Sequence, residues 1–520
     1  RHSARAPAGG GRRRGEGAGV SRRRRAGVSS HAAERLVDVF AVLHVLGLML
    51  AFFAITFVLP MVCSLVTGDG MLGDFAAAAG LNVLVGLALA FAFHRYRREL
   101  KARDGFLLVT LVWVMMSAAA SVPLMMAIPG LSFTDAYFEA MSGLTTTGST
   151  VLTGLDALPP SVNLWRSALH GCGGLGIIVL AVAVLPLLGV GGMQVYKAES
   201  PGPVKDEKLT PRITQTAKAL WLVYTGITAA GAIALHAAGM TWLDAICHAF
   251  SAIGLGGFST HDSGIGYYNS AAVEFVLILI MLIACMNFSR HFMAVQKLSF
   301  APYLRDTEAK AILIVLGTSV VGITLLVWAS GHYQQFATTL RHVAFSVVSV
   351  ASTTGFVTQD YEKWPIFAPV WMLFLSCIVC STGSTGGGIK MFRTLLLERH
   401  AVREMKVLLH PRALVPIRIG GHVIPERIVY AVLAFIFLYF ATIAVLTFTL
   451  LLSGLDLVSS FSGVVASINN LGPGLELAGP STQYQKFTDF QTWVFTTAML
   501  LGRLEIFSVL VLFTPAFWRK

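Results

Sequence analysis

The sequence predicts an all-α polytopic membrane protein: ten transmembrane helices, with four pseudo-repeated helix–pore loop–helix units around one central pore. Three observations carry that prediction. Hydrophobic residues make up 55% of the 520-residue chain and charged ones 13%, against about 25% charged in soluble domains, and mean hydropathy is +0.70. Apolar runs of about 20 residues, the length that crosses a bilayer, recur along the chain. Between pairs of such runs lie four short glycine-centred dips: LTTTGST (144–150), IGLGGFS (253–259), ASTTGFV (351–357) and INNLGPG (468–474).

In chain order, residues 1–35 read as a disordered basic cytoplasmic tail. Residues 1–30 hold nine Arg and one Glu, a net of +8 within a chain of formal charge +12. This tail lacks the apolar core of a signal peptide and suits anionic lipid. No aromatic or folded element accompanies its arginines, which argues against a nucleic-acid partner. Residues 36–104 form an N-terminal hairpin with spans at 36–60 and 75–94. Further spans are expected at 106–128, 163–190, 212–236, 271–297, 309–330, 366–400, 426–453 and 488–516. They divide into pore repeats at 105–200, 201–305, 306–420 and 421–520.

Charge sets the orientation. His94–Arg103 is strongly basic, as are the stretches carrying Lys197, Lys205, Lys208 and Arg212, then Arg290, Lys297 and Arg305, then Arg393, Arg399, Arg403, Lys406, Arg412 and Arg418. The opposite ends carry Asp69, Asp74, Asp156, Asp262, Asp360, Glu362, Asp456 and Glu476. The positive-inside rule places the basic loops and both termini in the cytoplasm.

The aligned glycines Gly148, Gly257, Gly355 and Gly472 are 109, 98 and 117 residues apart. A repeat of this length sets an architecture. Three dips are preceded by a candidate short helix with an acid near its start (Asp135, Asp244, Asp456), whereas the third offers Gln334-Gln335. Each short helix would point its negative carboxyl end at the axis. Irregular Thr/Gly backbone at membrane depth belongs where it lines water or protein, and its carbonyls can replace an ion's hydration shell. The expected cargo is therefore a cation. Ser381–Gly388 interrupts an apolar span, since three consecutive glycines do not sustain a helix.

Other motifs carry less. Cys377-Ile-Val-Cys380 has redox spacing but lies in an apolar segment, so two buried thiols are expected. Gly171-Cys-Gly173-Gly174-Leu-Gly176 matches a dinucleotide pattern without a preceding strand, and close helix packing explains it better. Gly383–Lys390 lacks the ending of a phosphate loop. His236, His261 and His332 are placed at outer span ends. No catalytic constellation is present, and a membrane-embedded enzyme is the weaker rival.

The four dips, together with PGPVKDEKLTPRITQTAKALW (201–221), CSTGSTGGGIK (380–390), HPRA (410–413) and LGRLEIFSVLVLFTPAFWR (501–519), resemble the TrkH family of bacterial potassium-transport subunits, within the Trk/Ktr/HKT superfamily. The resemblance implies potassium uptake across the bacterial inner membrane. It implies a selectivity filter of Thr146, Thr147, Gly148, Leu255, Gly256, Gly257, Thr353, Thr354, Gly355, Asn470, Leu471 and Gly472, acting mainly through carbonyl ligands for K+. Superfamily members with serine at the first glycine position resemble sodium transporters, so Gly148 points to potassium. The resemblance further implies an intramembrane gating loop at Gly383, Gly386, Gly387 and Gly388, with Arg503 as an electropositive barrier. For Arg503 a structural alternative stays open, pairing with Glu505 or a carbonyl; Lys390 and Arg393 read as a cytoplasmic anchor. No bound cofactor is implied, K+ being the transported ion. The implied partners are a second copy of the chain and a cytosolic TrkA-type nucleotide-binding ring, docked on the basic stretches at 205–212 and 393–418. A sodium- or proton-coupled symporter, or a less selective cation transporter, is the same-class alternative.

Overall fold

The computed structural model describes residues 38–98, 100–179 and 213–519. The basic tail and Lys197, Lys205, Lys208 and Arg212 lie outside the described residues. Among those described, the chain is helical apart from loops and one two-stranded hairpin pairing Arg418 with Val423. Among the described residues six helices are long and apolar enough to cross a membrane, or up to eight if two bent pairs each count as one.

The described residues open with Asp38–Thr67 and Leu72–Ala92, turned at Gly68, whose φ of 70° closes the first helix. Gly47 and Ala51 face Gly86 and Ala90, two small-residue pairs at four-residue spacing. A Cβ on Gly86 would lie 2.6 Å from Ala51 N and 2.7 Å from the Gly47 carbonyl. Small residues permit this close approach of backbones in lipid. Asn82 Nδ2 then donates to Leu50 O across the contact (2.8 Å). The hairpin docks on the first repeat through Phe53, Phe57 and Phe75, which surround the buried Trp165 ring.

Four units follow, each a long helix, a short helix, a loop and a second helix. The long helices are Ala102–Ala127, Ile213–Ala237, Thr307–Ala329 and Glu426–Leu452. The short ones are Phe133–Leu144, Trp242–Gly254, Phe336–Ala351 and Leu457–Ile468. The second helices are Pro160–Val179, Ala271–Ala284, Phe367–Ile378 and Asp489–Arg503. Each second helix packs on the short helix of the following unit, and the fourth packs back on the first. The units therefore close a ring. Gly174 serves that contact, as a Cβ there would lie 3.0 Å from Gly254 Cα, while Gly173 lets the same helix approach its own unit's short helix, where a Cβ would run into Leu144 O. Helix packing is thus what the glycine cluster at 171–176 does.

Two expected spans need correction. The run 271–297 bends by 99° between Ala284 and Phe288, and 488–516 bends by 105° between Arg503 and Phe507. At the first break Asn287 caps the next helix by accepting from Ser289 N (2.8 Å). The freed backbone is satisfied by the third unit: Ser381 N donates to Cys285 O (2.9 Å) and Phe288 N to Gly383 O (3.1 Å). At the second, Glu505 and Ile506 hold φ of 54° and 53°, with Ile506 N bonded back to Leu501 O (2.8 Å). The expected interruption of 366–400 is present, with helix ending at Ile378 and resuming at Met391.

Gly86→Leu should force the hairpin helices apart, an overpacking cost of about 1–3 kcal/mol. The detergent-purified protein should then melt several degrees lower; an unchanged melting temperature would remove the contact from the account.

Candidate functional site

The site is assembled from the carboxyl ends of the four short helices. Three begin on a side-chain cap: Ser132 accepts from Asp135 N (3.1 Å), Thr241 from Asp244 N (3.2 Å) and Asp456 from Ser459 N (2.8 Å). Gln335 provides no such bond at the third, so the departure seen in the sequence is a real difference in capping. All four end alike. Thr147 N donates to Ser142 O (2.8 Å) and Thr146 N to Gly143 O (3.1 Å), the paired bonds of a Schellman cap. Gly256 N to Ser251 O (2.9 Å), Thr354 N to Ser349 O (2.8 Å) and Leu471 N to Ala466 O (2.8 Å) repeat the long bond.

Such caps need a left-handed residue, usually glycine. Here the position is held by Thr146, Leu255, Thr353 and Asn470, at φ of 53°, 54°, 61° and 54°. Two are β-branched, for which this conformation is an outlier costing on the order of 1–3 kcal/mol. Two residues on, Gly148, Gly257, Gly355 and Gly472 are again left-handed, at 82°, 79°, 82° and 95°.

The twelve residues expected at the filter come together in one ring. A Cβ on Gly148 would run into Gly256 O, one on Gly257 into Thr354 O, and one on Gly355 into Leu471 O. Even the loosest, on Gly472, would lie 2.8 Å from Thr147 O. Each loop thus presents the carbonyl before its glycine to the glycine of a neighbour. Among the described residues none donates a hydrogen bond to these four oxygens. Buried carbonyls are almost always paired, and four orphans facing one axis make a ready cation cage. On one side the four glycines line a single open vestibule of about 370 Å³, whose wall includes Asp262 and Asp360.

On the other side lies the loop between Ile378 and Met391. Gly387 N donates to Thr353 Oγ1 (3.2 Å) and Thr385 Oγ1 to Ile253 O (2.9 Å), so this loop hangs directly beneath the ring. Gly386, Gly387 and Gly388 share a small cavity with Asn470 and Arg503, whereas Gly383 sits apart, against Asn287. Arg503 is buried, donating to Thr385 O (2.8 Å) and Gly173 O (3.0 Å). It therefore takes carbonyl partners rather than Glu505. Glu505 instead receives Lys390 (3.4 Å) and Arg393 (2.8 Å). Cys377 and Cys380 are free thiols, with Cys380 Sγ bonded to Ser352 O (3.2 Å).

Two buried carboxylates were not foreseen. Glu308 accepts from Ser381 Oγ (2.8 Å) and Thr382 N (2.9 Å) at the start of the hanging loop. Glu139 pairs with Arg166 at 2.8 Å, with both side chains at most 1% exposed. A charge inside an apolar stretch was the available signal for Glu139 and Arg166; Glu308, between Asp306 and Lys310, carried none. His261 also departs from expectation. It lies on the vestibule wall, not at a span end, bonding Asp156 and, at 3.1 Å, Tyr268.

Asp156 ties the first loop to the second, accepting from His261 and from Asp262 N (3.1 Å). The bond from His261 foremost holds its carboxyl below the ordinary 3.8. The stability it contributes is therefore present above that value and fades as pH falls further. Asp156→Asn should lower the melting temperature at neutral pH, and its gap from the parent should close below pH 3.8. A gap that persists in acid would exclude this carboxylate as its source.

The geometry finds its counterpart among known proteins. Residues 73–520 match the family model of TrkH, described as cation transport protein. The chain is 45% identical over 482 residues to the Trk system potassium uptake protein TrkH of Halomonas elongata, covering 92% of this chain and 99% of that one. It is 42% identical over 481 residues to the protein of the same name from Escherichia coli strain K12, with the same coverage. The crystal structure of the potassium transporter TrkH from Vibrio parahaemolyticus superposes with a TM-score of 0.85 at 41% identity, covering 92% of this chain and all of that one.

Proposed function

Given that the chain belongs to the TrkH family of membrane cation transport proteins, we propose that it carries potassium into the bacterial cell through the ring of four carbonyls. The observation that carries this reading is the set of oxygens of Thr147, Gly256, Thr354 and Leu471, buried, donor-free and contributed one per unit. Potassium sheds water to enter, and carbonyl dipoles replace that water. The short-helix carboxyl ends aim their negative poles at the same point. Glycine at all four positions leaves the carbonyls where the backbone puts them. Inward movement of one charge gains roughly 2.3 kcal/mol per 100 mV of interior-negative potential, so uptake needs no ATP site in this chain.

The hanging loop is the gate in this reading. Arg503 sits on the exit side of the ring, and its charge opposes a cation leaving the filter until the loop shifts. Ten crossings complete the architecture: the eight counted above, Pro160–Val179, and the interrupted pair from Phe367 to Leu409. Both termini face the cytoplasm of the inner membrane, and the repeats divide as the sequence suggests. The active form is a homodimer with one pore per subunit, regulated by a TrkA-type nucleotide-binding ring. The names of the relatives, which speak of a Trk system, support a multi-component assembly. Of the described basic residues offered for docking, Arg393 is buried against Glu505 and Arg403 is half-buried beside Glu426 (3.0 Å), leaving Arg399, Lys406, Arg412 and Arg418 exposed.

Gly148→Ser should lower the potassium-to-sodium preference, read as a shift of reversal potential in mixed-salt proteoliposomes; an unchanged preference argues against that filter position, and a parental reversal potential that follows sodium or protons replaces uniport with symport. Arg503→Ala, which removes the barrier, should raise potassium flux at fixed driving force. Flux that stays at the parental level would take Arg503 out of the gate.

A further inference from the structure

The first unit differs from the other three in what stands behind its loop. Glu139 lies in the middle of the first short helix and Arg166 six residues into the following helix, and they meet at 2.8 Å with exposures of 0% and 1%. Apart from one bond within the helix of Arg166, their remaining bonds reach the chain just outside the ring. Glu139 accepts from Thr150 Oγ1 (2.9 Å) and from Val151 N (3.1 Å). Arg166 donates to Thr150 Oγ1 (3.3 Å), to Asn163 Oδ1 (3.3 Å) and, across the unit boundary, to Ser259 O (3.2 Å). Its guanidinium lies 4.4 Å over the Phe258 ring. One ion pair therefore holds the residues two and three beyond Gly148 and the residue two beyond Gly257.

A buried ion pair is a poor device for stability alone. Desolvating two charges costs several kcal/mol each, and replacing both by apolar groups of similar volume is often neutral. What the pair supplies here is fixed position. Five donors in a rigid fork tie two adjacent loops to one carboxylate, where apolar packing would allow them to slide. The carbonyl that Gly148 faces, Gly256 O, belongs to the loop that Arg166 holds through Ser259.

We propose that Glu139 and Arg166 are positioning residues that set the size of the ion cage: the pair fixes the spacing of the first two loops, and so the preference for potassium over smaller sodium. The proposal rests on the four-carbonyl ring being the filter.

The test uses the full-length protein in proteoliposomes, with reversal potentials in mixed potassium and sodium salts. The double variant Glu139→Leu with Arg166→Met removes both charges without leaving one unpaired. It should fold and still pass potassium, with the potassium-to-sodium permeability ratio down at least about tenfold, or about 1.4 kcal/mol of lost discrimination. Thr150→Val, a near-isosteric change that removes one shared partner, should lower the ratio by a smaller factor and covers the case where the double variant does not fold. Gly148→Ser is measured alongside. If it lowers the ratio while neither buttress variant does, the pair is merely structural and the inference fails. If none of the three moves the ratio, the filter reading itself fails.

Discussion

Four backbone carbonyls that receive no donor among the described residues, held at one point inside an apolar fold, are the constraint on which the remaining structure depends. An orphaned buried carbonyl costs free energy comparable to a lost hydrogen bond, and the chain accepts that cost four times in one place. It accepts more by placing threonine, leucine and asparagine in left-handed conformations that glycine would adopt freely. Such strain persists only where surrounding structure over-determines it. That structure is visible: each cap bonds back to its short helix, each glycine admits its neighbour's oxygen, and each second helix props the next unit's short helix. On the proposed reading, potassium supplies what the missing donors do not, and that gives the arrangement its reason.

Much of this was legible in the sequence because it is repetitive and local. Gly148, Gly257, Gly355 and Gly472 stand out at roughly hundred-residue spacing, and the structure places them at equivalent points of one ring. Three glycines in succession announce the break before Met391. The other two breaks carry no such mark. Cys285-Met286-Asn287 and Leu504-Glu505-Ile506 lie in sequence that remains compatible with a continuous helix, and what ends the helices is tertiary. At the first, bonds to Ser381 and Gly383 replace those lost; at the second, Glu505 is drawn away by Lys390 and Arg393. Local propensity also argues against left-handed Thr146 and Thr353, so the caps were invisible until the backbone was seen. Glu139 and Arg166, 27 residues apart, are each visible as a charge in an apolar setting, but nothing in the order of residues says that they meet.

The four quarters share a backbone design and differ in support. The first has a buried ion pair. The second relies on His248, whose Nε2 meets Ser259 Oγ at 3.0 Å. The third is seated on the hanging loop through Thr353 and Cys380. The fourth is steered by Asn470, whose amide bonds Thr147 Oγ1 and Met499 O (both 3.0 Å), and by Tyr484, which donates to Gly472 O (3.0 Å). A single chain with internal repeats is free to vary each quarter in this way, which four identical subunits are not. The inner loop, present in the third unit alone among the described residues, is the clearest use of that freedom.

On the proposed reading, the donor-free carbonyls of Thr147, Gly256, Thr354 and Leu471 hold the transported ion. Crystals grown with thallium(I), an electron-dense potassium mimic, test it by anomalous diffraction. A peak is expected on the axis enclosed by those four oxygens, diminished when potassium competes and unaffected by equimolar sodium. Anomalous density confined to the vestibule, with none inside the ring, would contradict it.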